Sequence, residues 1–325
     1  MRVLVTGGAG YVASVVAAQL LEAGHQVTVL DDLSTGHADA VPAGAEFVQA
    51  SITEADSVLA GGGIEAVLHF AAKSLVAESV AQPERYWQNN VTGSLALFEA
   101  MRRHQVRRVV FSSSAATYGE PESVPILESA PTRPTNPYGA SKLAVDQMLA
   151  GYAVAYGFAA VSLRYFNVAG AKLAPGVAIG ERHATETHLI PIALQVARGE
   201  REVLQINGTE YPTPDGSCVR DYIHVLDLAD AHLRALDWTN SNTGQLICNL
   251  GSGSGSSVRE VVEAVRRVTG LPTPTVDAAN RPGDPAVLVA SNELARQVLG
   301  WQPTRGLDEM VADAWAFSQR TGAGV

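Results

Sequence analysis

The chain has 325 residues, 46% of them hydrophobic, which is enough for one large α/β domain and a smaller second domain. Its 23 Lys and Arg residues against 33 Asp and Glu residues give a formal net charge of −10, spread without long blocks of one sign. This balance argues against a general nucleic-acid binder or membrane-surface binder, so an anionic small molecule would need a local basic pocket.

Cys218 and Cys248 are the complete set of cysteines, too few for a disulfide framework and without metal-ligand spacing. We expect two ordinary buried thiols, no metal ion, and a reducing cytoplasm as the location. Met1 and Arg2 lead directly into a strand pattern, so we expect no signal peptide. Apolar runs stay shorter than the roughly 18 residues of a membrane span, which predicts a soluble protein.

The first half of the chain alternates apolar strand patterns with helical patterns. Strands are predicted at residues 3–5, 26–30, 46–49, 66–70, 108–113 and 160–166, and helices at 11–23, 84–104 and 136–156. Gly24 and Gly157 end the first and last of these helices. Continuous apolar strands separated by helices are typical of a parallel sheet covered on both faces. The predicted fold is α/β, a doubly wound parallel sheet of the Rossmann type.

After Asn167 the pattern gives way to loops, with predicted helices at 189–198, 225–238, 258–268, 292–299 and 307–317 and a strand at 246–250. We predict that the 225–238 helix and the strand return to the first sheet, whereas the last three helices belong to a smaller domain. Residues 251–256 have the Gly-Ser composition of a linker, and an ordered turn fits them equally well. The predicted domains are 1–168, with returning segments near 223–250, and 169–325.

A glycine-rich turn at residues 6–11 joins the first predicted strand to the first helix. Gly7 and Gly10 allow a tight turn in which the backbone approaches a pyrophosphate at the helix N-terminus. Asp31 ends the second strand about twenty residues later, where a carboxylate accepts hydrogen bonds from the adenosine ribose and repels a 2′-phosphate. These residues predict dinucleotide binding, with NAD favoured over NADP.

Three side chains form a candidate catalytic group. Ser114 follows the fifth strand, at the sheet edge where ligands bind in this fold. Tyr138 and Lys142 lie four residues apart and share one helix face. A nearby ammonium would lower the tyrosine pKa from its usual value of about 10 and create a base for a hydroxyl proton as hydride leaves the same carbon. Ser114 would hydrogen-bond the reacting oxygen.

The motifs along the chain resemble those of the extended short-chain dehydrogenase/reductase family. In the first half they are the glycine turn, Asp31-Asp32-Leu33-Ser34-Thr35-Gly36, His69-Phe70-Ala71-Ala72, Asn89-Asn90-Val91, Ser114 with Tyr118-Gly119, Asn136-Pro137-Tyr138 with Lys142, and Arg164-Tyr165-Phe166-Asn167. In the second half, three segments resemble the UDP-glucose 4-epimerase branch in particular: Glu186 to Pro191, Tyr211 to Gly216 and Val219 to Val225. The resemblance covers essentially the whole chain.

The resemblance implies reversible C4 epimerisation of UDP-galactose and UDP-glucose through a 4-keto intermediate, with bound NAD. Tyr138 would be the base, Lys142 would tune its pKa and hold the nicotinamide ribose, and Ser114 would assist proton transfer; all three would touch the cofactor. The other implied cofactor contacts are Gly7, Gly10, Tyr11, Val12, Asp31, Asp32, Leu33, Ser34, Thr35, Gly36, Ser51, Ile52, Phe70, Ala71, Ala72, Lys73, Ser74, Asn90 and Phe166. The implied UDP-sugar contacts are Ser114, Tyr138, Asn167, His188, Leu189, Gln205, Ile206, Asn207, Arg220, Arg281, Asp284 and Leu288.

The resemblance also implies a homodimer, because in related epimerases the helices equivalent to 88–104 and 142–156 form a four-helix bundle between subunits. Arg220 and Arg281 meet a physical need of this substrate class, since a guanidinium binds a diphosphate through two parallel hydrogen bonds.

Three departures from the family pattern bear on specificity. Ser51 stands where the family usually has an aspartate near the adenine, and the family's ribose-contacting lysine lies one place from Lys73. Leu288 takes the position that limits the sugar's 2-substituent and leaves N-acetylated sugars open.

Several alternative functions remain at this point. A 4-epimerase of UDP-N-acetylhexosamine or UDP-glucuronate and a UDP-glucuronate decarboxylase stay open. A nucleotide-sugar dehydratase is disfavoured because Ala115 and Ala116 follow Ser114, where that chemistry uses an Asp-Glu pair. A catalytically inactive dinucleotide-binding regulator is disfavoured because Tyr138 and Lys142 are both present.

Overall fold

The computed structural model of the chain describes residues 1–280 and 284–321. Arg281, a predicted UDP-sugar contact, lies outside the described residues. The strands are β1 (Arg2–Thr6), β2 (Gln26–Asp31), β3 (Glu46–Gln49), β4 (Ala66–His69), β5 (Arg108–Ser114), β6 (Ala159–Tyr165), β7 (Asn167–Ala169), β8 (Ala171–Ala174), β9 (Val177–Gly180), β10 (Leu204–Asn207), β11 (Val219–Arg220), β12 (Tyr222–His224), β13 (Gly244–Leu250), β14 (Ser256–Ser257), β15 (Thr275–Ala278) and β16 (Val287–Leu288).

The helices connect these strands on both faces of the main sheet and fill the second half. They are α1 (Tyr11–Glu22), α2 (Ala55–Ala60), α3 (Val76–Ala81), α4 (Pro83–Tyr86), α5 (Gly93–Arg103), α6 (Pro137–Tyr156), α7 (Leu189–Ala197), α8 (Val225–Trp238), α9 (Val258–Thr269), α10 (Glu293–Leu299) and α11 (Leu307–Thr321). Among the helices of residues 1–280 and 284–321, none combines the length and apolarity needed to cross a membrane.

In the described part of the chain, seven parallel strands form the main sheet in the order β13-β6-β5-β4-β1-β2-β3. Alternate residues of a strand point to opposite faces, so Val3 and Val5 pack with α1 and α8, whereas Leu4 packs with α5 on the other side. The apolar, doubly covered strands confirm the predicted Rossmann-type sheet.

The main sheet is completed by a strand from the second half of the chain. β13 pairs with β6 along its whole length, from Gly244 opposite Ala159 to Leu250 opposite Tyr165. Helix α8 packs against α1, so the predicted return of both segments is confirmed. The prediction that helix α10 belongs to the smaller domain is wrong. Its apolar residues Ala295 and Leu299 pack into the core of the main sheet.

The rest of the second half contains short strand pairs around its own core. β11 lies between β14 and β16, β12 pairs with β7, and β10 pairs with β15. Helices α7, α9 and α11 enclose a separate apolar cluster that includes Leu194, Val265 and Val311. The Gly-Ser segment 251–256 is an ordered turn, because Ser252 donates to the buried carboxylate of Asp221 from both its backbone nitrogen and its hydroxyl, each at 2.6 Å.

Two local features set the helices that carry the site. The predicted 84–104 helix contains a π-helical turn at Trp87–Thr92, which brings Asn90 into the interior. Helix α6 begins at Pro137 because the Asn136 side chain accepts a hydrogen bond from the Gly139 nitrogen at 2.9 Å. Cys218 and Cys248 are both buried, as predicted.

Candidate active site

The glycine turn lies between β1 and α1 and leaves room for a ligand at the helix N-terminus. Gly7 has a φ of +72°, and a Cβ there would lie 2.7 Å from the Ala71 nitrogen, so a side chain would displace the neighbouring strand end. Gly10 precedes α1, whose first turn contains no acidic residue. The N–H groups of the first turn of α1 and the positive end of the helix dipole therefore face this turn with no acidic side chain of their own helix beside them, which fits a pyrophosphate.

The loop after β2 folds back onto the glycine turn. The Asp31 carboxylate accepts from the backbone nitrogens of Ala9 at 3.0 Å and Leu33 at 2.8 Å, and burial raises its pKa. The His37 nitrogen donates to the Ala9 carbonyl at 2.9 Å, so the loop is closed at both ends. The predicted ribose-binding loop 31–36 thus lies against the predicted pyrophosphate turn.

A third segment, residues 70–74, follows β4 and is fixed by Asn90. The Asn90 carbonyl oxygen accepts from the Lys73 nitrogen at 2.8 Å, and its amide donates to the Lys73 carbonyl and to Ser141 on α6, both at 3.0 Å. This side chain therefore links the predicted cofactor segment to the catalytic helix. The Phe70 ring stacks on His232 with the centroids 4.7 Å apart.

Ser114 ends β5 and caps the 3₁₀ turn Ala115–Thr117, since its hydroxyl accepts from the Ala116 nitrogen at 3.1 Å. Ala115 and Ala116 provide no carboxylate beside this hydroxyl. The turn after β5 can therefore hydrogen-bond a substrate oxygen, but it contains no acid–base pair for eliminating water.

Tyr138 and Lys142 lie one turn apart on α6, with the ammonium 5.9 Å from the centroid of the Tyr138 ring. The Lys142 ammonium donates to the Ser112 carbonyl at 2.6 Å and lies 4.9 Å from the centroid of Phe111. The sequence prediction that the residues share one helix face is confirmed, and both lie beside the end of β5.

The predicted effect of Lys142 on Tyr138 is wrong for this arrangement. Burial raises the pKa of Tyr138, and the interaction with Ser114 opposes that rise only in part. Burial also lowers the pKa of Lys142 to about 7, although the charge of Asp146 acts in the other direction. Burial is the largest influence on the pKa of both groups, so a tyrosine base here needs further positive charge.

The predicted substrate side gathers around Asp221. Asn167 donates to the Asp221 carbonyl from its backbone nitrogen at 3.1 Å and from its side-chain amide at 3.0 Å. Arg220 pairs with Leu288 across two short strands and forms a salt bridge with Asp284. Because Asn167 follows β6, whose last residue pairs with Ser114, this group lies beyond the catalytic strand end.

The other predicted contacts are placed in several ways. His188 and Leu189 begin α7, and the segment Gln205–Asn207 lies in β10 with Ile206 buried in the interior. Ser51 caps the short helix Ile52–Glu54, and Ile52 packs into the main core. Tyr11 donates its hydroxyl to the Gly170 carbonyl at 2.6 Å. The remaining residues lie in the loops described above, and Val12 and Phe166 are half-buried; the ligand roles of all these residues stay predictions.

Comparisons with known proteins agree with this geometry. Residues 3–251 match the NAD dependent epimerase/dehydratase family. The chain belongs to this family. Membership confirms the predicted cofactor, NAD, and the predicted resemblance.

Individual members of the epimerase/dehydratase family match almost the whole chain. The UDP-glucose 4-epimerase of Streptomyces lividans is 60% identical over 320 residues, which cover 97% of this chain and 95% of that protein. The crystal structure of the Brucella ovis UDP-glucose 4-epimerase with NAD has a TM-score of 0.93 at 44% identity and covers 97% of both chains. The Bifidobacterium longum enzyme with NAD+ and UDP has a TM-score of 0.93 at 36% identity and covers 100% of both chains.

Sequence reasoning missed several residues that support this family's site. Asp146 and Arg164 form a buried ion pair at 2.9 Å, next to Lys142 and below the strand ends. Tyr165 shares a short hydrogen bond with Ser112 beside the catalytic strand end. Asp221 organises the substrate side, and its place inside the Val219–Val225 motif was the available signal.

Proposed function

We propose that this chain is a UDP-glucose 4-epimerase that interconverts UDP-galactose and UDP-glucose through a 4-keto intermediate. The main support for this proposal is that Ser114, Tyr138 and Lys142 lie together at the end of β5. The turn that follows β5 contains alanines where a dehydratase would need acidic residues. Epimerisation at C4 needs proton transfer at one oxygen and no elimination of water, which this set of groups supplies.

Within this proposal, Tyr138 takes the proton of the sugar's 4-hydroxyl and later returns it. NAD, when bound beside these residues, would supply the hydride acceptor and donor for C4 and a positive charge that favours the Tyr138 phenolate. Ser114 hydrogen-bonds the reacting oxygen. Lys142 is held by the Ser112 carbonyl, so its ammonium stays between the tyrosine and the sheet edge.

We assign the two ligands to the two predicted domains. Residues 1–168, with the returning segments near 223–250, bind NAD, and residues 169–325 bind the UDP-sugar. Arg220 is oriented by Asp284 and by the Val219 carbonyl, to which it donates at 2.7 Å. A guanidinium fixed in this way suits the diphosphate, which must stay bound while the 4-keto sugar turns over.

The decisive experiment is NMR of product formation from UDP-galactose, UDP-N-acetylgalactosamine and UDP-glucuronate in parallel. We expect the purified protein to carry NAD absorbance and to convert UDP-galactose to UDP-glucose without added reductant. The UDP-N-acetylgalactosamine sample tests Leu288 as the residue that limits the 2-substituent. Failure of UDP-galactose conversion in NAD-loaded protein would overturn the proposal. Conversion of UDP-glucuronate alone would identify a UDP-glucuronate 4-epimerase or decarboxylase instead.

We also propose a homodimer through the outer faces of α5 and α6, in the cytoplasm, where the thiols of Cys218 and Cys248 stay reduced. Leu95 is 44% exposed and Val154 89% exposed on these helices. Light scattering of the wild type should give twice the chain mass, and Val154→Asp should give a monomer. Val298→Asp, at an exposed valine on α10, is the matched control that should stay dimeric. A monomeric wild type would contradict the proposal.

A further inference from the structure

Four ionisable residues lie close together between the end of β9 and the start of α7, and we call them the 181–188 cluster: Glu181, His183, Glu186 and His188. One oxygen of Glu181 lies 3.1 Å from His183 Nε2 and 2.7 Å from His188 Nδ1. Glu186 lies 3.0 Å from the same His188 nitrogen. Ligand atoms of Glu181, His183 and His188 all lie within 4.8 Å of one another.

This spacing fits a small divalent cation. In a tetrahedral zinc site with bonds of about 2.0–2.1 Å, two ligand atoms lie roughly 3.3 Å apart. The spacings of 2.7 and 3.1 Å at Glu181 are close to that value. Two imidazole nitrogens and one carboxylate oxygen also match the ligand preference of zinc, nickel and copper, and exclude a magnesium-type site.

The charges of the cluster point the same way. The Glu181 and Glu186 side chains are only 9% and 6% exposed, so two carboxylates lie mostly out of water. Buried carboxylates need a cationic partner. A divalent ion supplies it without a proton on each histidine ring, and the two ring centroids are 5.2 Å apart.

The surroundings of the cluster hold its members in place. The Glu186 carboxylate accepts from the backbone nitrogens of Thr187 and His188, both at 2.8 Å, which orients the His188 ring next to it. Arg182, inside the same segment, forms a salt bridge at 2.8 Å with Asp39, and its carbonyl lies 2.8 Å from His37 Nε2. The segment is therefore tied to the loop that follows Gly36.

We propose that Glu181, His183 and His188 bind one divalent transition-metal ion of the zinc class. The ion fastens the end of β9 to the start of α7, next to the predicted cofactor loop. It binds His188 through Nδ1, which leaves the opposite nitrogen, Nε2, for the predicted UDP-sugar contact. The proposed role is structural, and it departs from the expectation of no metal ion, which rested on cysteine spacing. It does not depend on which sugar the enzyme turns over.

The test is titration of the NAD-loaded protein, after chelator treatment, with Zn²⁺ alone by calorimetry and with Co²⁺ by absorption spectroscopy. We expect one ion per chain and the visible bands of a four-coordinate cobalt site. Since supporting residues alone change metal affinity by about 10- to 100-fold, His183→Ala and His188→Ala should each weaken Zn²⁺ binding by at least about 100-fold.

The control is His104→Ala, which removes a histidine paired with a single carboxylate, Asp56, at 3.0 Å. It should leave Zn²⁺ binding unchanged. His183 is partly exposed, so His183→Ala is the variant whose fold is checked by circular dichroism and thermal melting. Absence of stoichiometric binding to the wild type, or binding that survives both histidine variants, would overturn the proposal.

Discussion

The two sides of the site are held by different kinds of contact. On the cofactor side, three buried contacts hold α6 beside a continuous parallel sheet. Asn90 donates to Ser141, Lys142 donates to the Ser112 carbonyl, and Asp146 pairs with Arg164 of β6. On the substrate side, strands of two or three residues carry the predicted contacts, and one carboxylate, Asp221, joins them.

This difference predicts how each side responds to a single substitution. The cofactor side depends on many contacts in a seven-stranded core. Replacing one side chain there should therefore change the catalytic rate more than it changes the positions of its neighbours. The substrate side depends on one buried carboxylate, that of Asp221, which accepts four hydrogen bonds, from Ser252 twice and from Gly253 and Ala290. A single loss there should alter the placement of Asn167 and Leu288 together.

Replacing the catalytic hydroxyl tests the cofactor side most strongly. Tyr138→Phe should lower kcat by about 100- to 10,000-fold, the usual contribution of a positioned acid–base group. Bound NAD and thermal stability should stay unchanged, because the ring packing is kept. Tyr152→Phe, farther along α6 with its hydroxyl on Glu99 at 2.5 Å, is the control and should retain kcat. Equal activity of both variants would remove Tyr138 from the chemistry.

Removing one charge at Asp221 tests the substrate side. Asp221→Asn keeps the shape but turns an amide NH₂ toward backbone N–H donors, so the free energy of unfolding should fall by about 3 kcal/mol. KM should rise more than kcat falls. Asp277→Asn, at an exposed carboxylate paired with Arg259, should change unfolding by less than about 0.5 kcal/mol. Chemical denaturation of both variants checks the difference.

The pH dependence of stability tests the buried ammonium. The pKa of Lys142 is lowered from 10.5 to about 7, so below pH 7 the folded state bears the full cost of burying the charge. From pH 7 to 10.5 the unfolded state binds the extra proton, and this cost declines as pH rises.

Lys142→Met removes that cost and also the hydrogen bond to Ser112, so at pH 7 we expect a net gain of about 2 kcal/mol in unfolding free energy. The gain should shrink between pH 7 and pH 9, whereas activity is lost. Lys172→Met is the control, since that ammonium is paired with Glu22 at 2.8 Å, and it should destabilise. A gain that grows with pH would contradict the lowered pKa.

The smallest expected effect lies at the adenine end of the cofactor side. Ser51→Asp restores the family's carboxylate and remains a good cap for the helix Ile52–Glu54. One added hydrogen bond should tighten NAD binding by about 2- to 10-fold. Ser51→Asn, of the same shape without the charge, should gain less. Fluorescence titration of NAD measures both, and weaker binding by Ser51→Asp would place residue 51 away from the adenine.

The sequence could predict the helices and strands in which apolar residues recur with a regular period. β1 to β6 have apolar runs bounded by turn residues, and Gly157 ends α6 in the left-handed conformation. Tyr138 and Lys142 were found by their spacing on a helix. The strands β11, β14 and β16 contain only two residues each, which is too short for any period, so the group around Asp221 was not predictable as a unit.

Other failures came from burial, which spacing does not give. The direction of the pKa shift at Tyr138 depends on how far α6 is buried against β5. The 181–188 cluster depends on a loop path that brings Glu181 back to His188, between elements whose own patterns are clear. Helix α10 has an ordinary amphipathic pattern, and only the position of β13 beside it determines which core it joins.

The late strand β13 has a consequence for how the molecule forms. β6 ends at Tyr165, but its outer neighbour begins only at Gly244, so the sheet stays open until the intervening segments have left the ribosome. Until then β6 presents unpaired N–H and C=O groups, the surface on which nascent chains pair wrongly with one another. The cofactor half is therefore synthesised first, but its sheet is completed only after Leu250 has been added, and an isolated 1–168 fragment should aggregate.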